Sequence, residues 1–159
     1  MIKYILILVS IFFLSGCKNY YLRGYFNVSE FKSQCRWKHP VNEKYKTKKK
    51  DVAYLDSLRT IKDSVDLKLF VGTWCSDSRK LVPKFFKLMP GLPIRDVVII
   101  SMDTTKKDIN NLAATYRVDS IPMFIFFREE KEIGRIKVKP GKQGIERALW
   151  RIMSQKNSN

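Results

Sequence analysis

The stretch FVGTWCSDSRKLVP, Phe70 to Pro83, holds the residues with the clearest chemical potential. Cys75 follows Trp74 where a short apolar run gives way to helical spacing, and Ser78 stands three residues further on. The thiolate, not the thiol, is the nucleophile in disulfide exchange. A cysteine at a helix N-terminus lies beside unpaired backbone N–H groups and the positive end of the helix dipole, both of which favour the anion. Arg79 and Lys80 add positive charge one turn away, and Asp77 opposes them. Attack by Cys75 on a disulfide would give a mixed disulfide. Ser78 cannot break it, because a hydroxyl is far less acidic than a thiol and forms no stable S–O link. It can donate a hydrogen bond to the Cys75 sulfur. The mixed disulfide would persist until another thiol arrived.

The N-terminus bears on which thiols are free. MIKYILILVSIFFLSGC has a basic start at Lys3 and an almost wholly apolar stretch from Tyr4 to Phe13. That stretch is short of the about 20 apolar residues of a membrane-spanning helix but has the length of a signal-peptide core. It ends in Leu14-Ser15-Gly16-Cys17, which resembles the lipobox of bacterial lipoproteins. Residues 1–16 are thus expected to be a lipoprotein signal peptide, with Cys17 acylated. The protein is expected in a bacterial cell envelope, on the periplasmic side, held by acyl chains worth roughly 0.8 kcal/mol per buried methylene.

Of the three cysteines, Cys17, Cys35 and Cys75, this leaves Cys35 and Cys75 as free thiols in a space where disulfides form. Cys35 is either the thiol that resolves the mixed disulfide or an unpaired, packed residue beside Gln34, Arg36 and Trp37. No cysteine pair has metal-ligand spacing and His39 is the sole histidine, so neither a metal nor another cofactor is expected.

The formal charge of +16 is uneven. Lys18 to Lys50 holds ten basic and two acidic residues, net +8, and the run KYKTKKK has five lysines in seven. Such a run favours a solvated, extended spacer. Residues 17–50 are therefore expected to be a lipid-anchored basic linker. It either serves as a spacer or adds about 1 kcal/mol of head-group attraction per well-placed lysine. Nucleic acid is not an expected partner of an exported, anchored protein. The expected partners are exported proteins with thiols or disulfides, met by a monomer.

From Asp51 the text orders itself into elements that could position Cys75. Val52, Leu55, Leu58, Ile61 and Val65 share one helical face over residues 51–65. LKLFVG is a strand, and CSDSRKLVPKFFKLM a helix with Leu81, Phe85, Leu88 and Met89 inward and Pro83 as a kink. IRDVVIISMD is a buried strand. TKKDINNLAATYRV is expected as a helix with Ile109, Leu112 and Tyr116 inward. SIPMFIFF and EIGRIKVKP are strands joined by a charged turn, and GKQGIERALWRIM is the last helix. YYLRGYF could add a short strand. Strands alternating with helices imply parallel crossovers, and the last pair an antiparallel hairpin. The expected class is α/β, a central mixed sheet flanked by helices on both faces. The domain spans residues 51–153, with 154–159 a disordered end.

Over residues 51–153 the chain resembles the thioredoxin family. Trp74-Cys75 matches its W-C-x-x-C motif at a strand-to-helix junction. Pro83, eight residues on, matches the helix-kinking proline. Ile121-Pro122 matches the cis-proline that lies beside the active cysteine, and Gly141 the turn glycine after the last strand. The subgroup it looks most like is exported thioredoxin-like proteins with a W-C-x-D-S motif. Two departures bear on mechanism. Ser78 replaces the resolving cysteine, and Leu69 stands where many members carry a buried aspartate.

The resemblance implies single-cysteine thiol–disulfide exchange through Cys75. It also implies a substrate groove in which the Ile121 backbone pairs with an extended segment and Trp74 forms one wall. The alternative is a module that binds peptides at the Trp74/Pro122 groove without turnover, or an envelope lipoprotein with a structural role.

Overall fold

A computed structural model describes residues 21–35, 37, 47–62, 64–137 and 144–155. The expected signal peptide, Cys17, His39, Gly141 and the end of the chain from residue 156 lie outside these. The elements are β1 (Gly24–Phe26), α1 (Val28–Gln34), α2 (Lys49–Arg59), β2 (Val65–Val71), α3 (Ser76–Leu88), β3 (Ile94–Ser101), α4 (Leu112–Thr115), β4 (Met123–Arg128), β5 (Lys131–Ile136) and α5 (Gly144–Met153).

The five strands form one mixed sheet in the order β1-β3-β2-β4-β5. β2 and β3 are parallel, as the intervening helix α3 requires. The other neighbours are antiparallel. The β4–β5 hairpin turns through Glu129 and Glu130, with φ of 50° and 64°. Positive φ at both turn positions matches the right-handed twist of the flanking strands.

Strand alternation divides the core in two. Leu67, Leu69, Val71, Ile99, Phe124 and Phe126 point to one face, where they meet α1, α2, α3 and α5. Phe70, Ile100, Met123 and Ile125 point to the other, covered by α4 and the segments around it. Phe85 of α3 packs on Phe124 of β4 with ring centroids 4.9 Å apart. Burying an aromatic of this size contributes about 1.5–3 kcal/mol. Tyr54 of α2 packs on Trp150 of α5 at 5.4 Å, which closes the helical layer.

Three expectations about the elements differ from the structure. The helix expected over 51–65 stops at Arg59, and Val65 opens β2. Val52 is 40% exposed, and Asp51 instead takes the inward place in the first turn, where it faces the Lys84 charge. The helix expected over 105–118 is a single turn, Leu112–Thr115, and Ile109 is 57% exposed. Two aspartates capture the backbone N–H groups that a longer helix would need. Asp103 Oδ1 accepts from Thr105 N and Lys107 N, and Asp108 from Asn110 N, Leu112 N and Ala113 N.

The third difference lies in the segment expected as a linker. Residues 21–35 pack on the domain. YYLRGYF supplies β1, paired antiparallel to β3 with Tyr25 opposite Ile100. Asn27 then caps α1 through a reciprocal pair: Asn27 Oδ1 accepts from Glu30 N, and Glu30 Oε2 accepts from Asn27 N, both at 2.9 Å. Phe31, 1% exposed, anchors α1 against Phe26, Trp37 and Phe86.

Candidate functional site

Cys75 lies between β2 and α3, at the N-cap of α3 with extended dihedrals. β2 ends at Val71, and a tight turn closes on Cys75 N, which donates to Gly72 O at 2.9 Å. The first helical bond follows, from Arg79 N to Cys75 O at 3.1 Å. The Cys75 side chain accepts no cap bond from the helix N–H groups. It turns instead toward β4, where the thiol donates to the carbonyl oxygen of Ile121 at 3.6 Å. The Ile121–Pro122 peptide is cis. The structure therefore brings Cys75, Ile121 and Pro122 to one place, although 46 residues separate the first two. The thiol is neither sealed in nor fully open.

Trp74 forms part of the same surface. Its indole Nε1 donates to Met102 O at 3.1 Å, which ties the turn to the end of β3. The ring lies over Gly72. A Cβ built there would meet Trp74 Nε1 and Ile121 Cδ1, each at 2.8 Å. Real Cβ atoms do not approach that closely, so Gly72 serves to let Trp74 and Ile121 close over the backbone beside the thiol.

Ser78 departs from the expectation that its hydroxyl bonds the Cys75 sulfur. It is fully buried, and its Oγ accepts from Gly72 N at 3.4 Å. Ser78 thus braces the turn from beneath. Leu69 is fully buried among apolar side chains, so the position that could have carried an aspartate adds to the core.

Four residues that spacing did not single out as a group hold the turn from the other side. Thr73, 7% exposed, accepts at its Oγ1 from Leu22 N at 3.1 Å. Its carbonyl oxygen accepts from Trp37 Nε1 at 3.1 Å and from Arg79 Nε at 3.0 Å. Arg79 reaches on to Trp74 O at 3.3 Å. Expected to add positive charge near the thiol, Arg79 is also a strap across the two residues before the cysteine. Leu22 O accepts in turn from the buried Ser101 hydroxyl at 2.8 Å. The capping pattern of Asn27 and Glu30 was a local clue, beside the strand-like YYLRGYF, that this N-terminal segment is structured.

Cys35 is not joined to Cys75. It packs with the cluster on the helical face, whereas Cys75 packs with the cluster on the opposite face. Both are free thiols. Burial pushes the Cys35 thiol up to about 11, against smaller opposing effects from the Trp37 backbone N–H and the Arg79 charge. Among the described residues no group of histidine, cysteine, aspartate and glutamate side chains could hold a metal ion.

Comparison with known proteins gives a consistent likeness. The thioredoxin family model matches residues 46–150. Thioredoxin from Chlamydia pneumoniae is 34% identical over 67 residues, covering 42% of this chain and 62% of that protein. Thioredoxin H2-1 from rice, Oryza sativa subsp. japonica, is 30% identical over 89 residues, covering 56% of this chain and 61% of that protein. The match thus spans less than two thirds of either relative. Among solved structures, Fasciola hepatica thioredoxin aligns over 65% of this chain and 92% of its own, at 22% identity and a TM-score of 0.41.

Proposed function

The chain belongs to the thioredoxin family, and from that premise we propose that it carries out single-cysteine thiol–disulfide exchange through Cys75 on exported proteins, from a lipid anchor at Cys17. The observation that carries the reading is the Cys75 thiol lying 3.6 Å from the Ile121 carbonyl oxygen, next to Pro122. An extended partner segment that bonds the Ile121 backbone would bring its own sulfur against Cys75.

Cys75 loses its proton to solvent and attacks one sulfur of the partner's disulfide. A Cys75–partner S–S bond forms as the partner's bond breaks, and the released sulfur takes up a proton. One disulfide is exchanged for another. Release needs a second thiol, which attacks the mixed disulfide and returns Cys75 to its thiolate. Ser78, bonded to Gly72 N, takes no part in that transfer. The releasing thiol is external, or it is Cys35 after residues 28–35 leave the helical face.

Export and anchoring rest on the Leu14-Ser15-Gly16-Cys17 box. Among the described residues, no helix is long and apolar enough to cross a membrane. In a second reading the groove binds peptides without turnover. It draws on the alternative use of the Ile121 backbone, which needs no reactive thiol.

Acid-quenched cells resolved without reductant separate the two readings. Cys75-linked adducts support exchange, and their absence from both the native chain and Cys35→Ser leaves binding alone. Adducts that accumulate only in Cys35→Ser would assign release to Cys35.

A further inference from the structure

An open cavity of about 420 Å³ is lined by Lys106, Asn111, Ala113, Arg117, Val118 and Asp119 among others. Two of its lining residues are continuous with the site through the apolar core. Ala113 and Val118 belong to the apolar cluster that contains Trp74, Cys75 and Ile121. Asp119 is two residues from Ile121, a span of at most about 7 Å in extended chain. A side chain projecting from a segment paired along Ile121 can therefore reach this cavity.

The rim is cationic and uncommitted. Lys106 and Arg117 are exposed, and among the described residues neither side chain enters an ion pair. The one carboxylate on the lining, Asp119, is already bonded to Lys137 Nζ and the Ser120 hydroxyl. Lys106, Asn111 and Arg117 also share a rare backbone state, with φ of 60°, 57° and 52°. These are turn and helix-end positions: Lys106 N donates to Asp103 O at 3.0 Å, Asn111 is the N-cap of α4, and Val118 N returns to Ala113 O at 2.8 Å just after Arg117.

We propose that this cavity receives a carboxylate side chain of the partner, so that Cys75 acts on segments with aspartate or glutamate within a few residues of the reacting sulfur. This rests on the exchange reading for its chemistry but not for its binding. Asn111 adds an amide side chain to the same lining. The partner's remaining contacts stay those of an extended strand at Ile121.

The test uses the full-length chain in uncharged detergent and two blocked peptides. Each has a central cysteine held as its 2-pyridyl disulfide, flanked on both sides by glutamate in one and glutamine in the other. Binding is read on Cys75→Ser with serine in place of the peptide cysteine. The glutamate peptide should bind about fivefold tighter at low salt, in line with two exposed ion pairs. The preference should vanish in Lys106→Gln/Arg117→Gln and survive in Lys62→Gln/Lys131→Gln, which removes the same charge elsewhere. Equal loss in both double variants, or no preference at all, would overturn the proposal. Thiopyridone release from the native chain reads the chemistry separately. A binding preference without release sinks the exchange reading and leaves the acidic specificity standing. Release at equal rates from both peptides, with equal binding, does the reverse.

Discussion

The indole nitrogen of Trp37 donates to the carbonyl oxygen of Thr73 at 3.1 Å, and the same oxygen accepts from Arg79 Nε at 3.0 Å. Thr73 precedes Trp74 and Cys75, so the N-terminal segment and helix α3 grip the turn that presents the thiol. The segment is part of the site's framework.

Thr73→Val tests that grip. It keeps the shape but removes the acceptor for Leu22 N, and a buried unsatisfied N–H costs about 1–3 kcal/mol. The expected result is a loss of that size in denaturant unfolding, with faster exchange of the Leu22 amide hydrogen. Native-like protection of that amide in the variant would show that the contact is not a fastening.

Gly72→Ala probes the closure of Trp74 and Ile121 over the turn. The added methyl group meets two side chains at 2.8 Å. Overpacking of this kind costs about 1–3 kcal/mol. Trp74 should be displaced from Met102 O, read as a shift in its indole N–H resonance, and alkylation of Cys75 should change rate. An unshifted indole resonance would contradict the packing described.

Asp108 predicts a pH dependence. Burial opposes its charge, but hydrogen bonds from Ala113, Leu112 and Asn110 N–H and from the Tyr25 hydroxyl outweigh it and hold its carboxyl below the ordinary 3.8. A depressed folded value contributes stability that is present above the unfolded value and is lost as pH falls through the folded one. Unfolding midpoints of the native chain should therefore drop below about pH 4. Asp108→Asn, whose amide donates where a carboxylate oxygen accepted, should be less stable by about 1–3 kcal/mol at neutral pH. Its midpoint should fall less steeply in acid. Parallel acid profiles for the two proteins would remove Asp108 from the explanation.

Cys35 predicts the opposite limb. Its thiol is raised from 9.0 to about 11, so the stability tied to its neutral form is full below pH 9 and lost as pH rises toward 11. At pH 8 only about one Cys35 in a thousand is thiolate. Alkylation at Cys35 in the folded chain should be slow and should accelerate on denaturation, as mapped by peptide mass. Fast labelling at pH 8 without unfolding would mean that the segment 21–37 is not docked in solution.

Much of the sheet was legible because its signals are local. β2, β3 and β4 are apolar runs bounded by turns, and the charged turn at Glu129 and Glu130 joins a hairpin as expected. The helix around residues 105–118 was misjudged because apolar spacing at Ile109, Leu112 and Tyr116 is blind to competition for backbone N–H groups. Asp103 and Asp108 win that competition. α1 was missed because its apolar anchor is a lone Phe31, too little for a period, although Asn27 and Glu30 stood at capping-box spacing.

By itself the sequence determined the family, the order of elements, the cysteine at the start of α3 and the absence of a second cysteine at position 78. These are properties of residue type and short spacing. Only the tertiary structure decided that the Cys75 thiol faces Ile121 across 46 residues, that Ser78 bonds Gly72 rather than the sulfur, and that Cys35 lies on the other face of the sheet. It also decided that residues 22 and 37 hold the turn before the cysteine. Each depends on which chain segments the packed sheet brings together, and hydrogen-bond partners are set by that proximity rather than by distance along the chain.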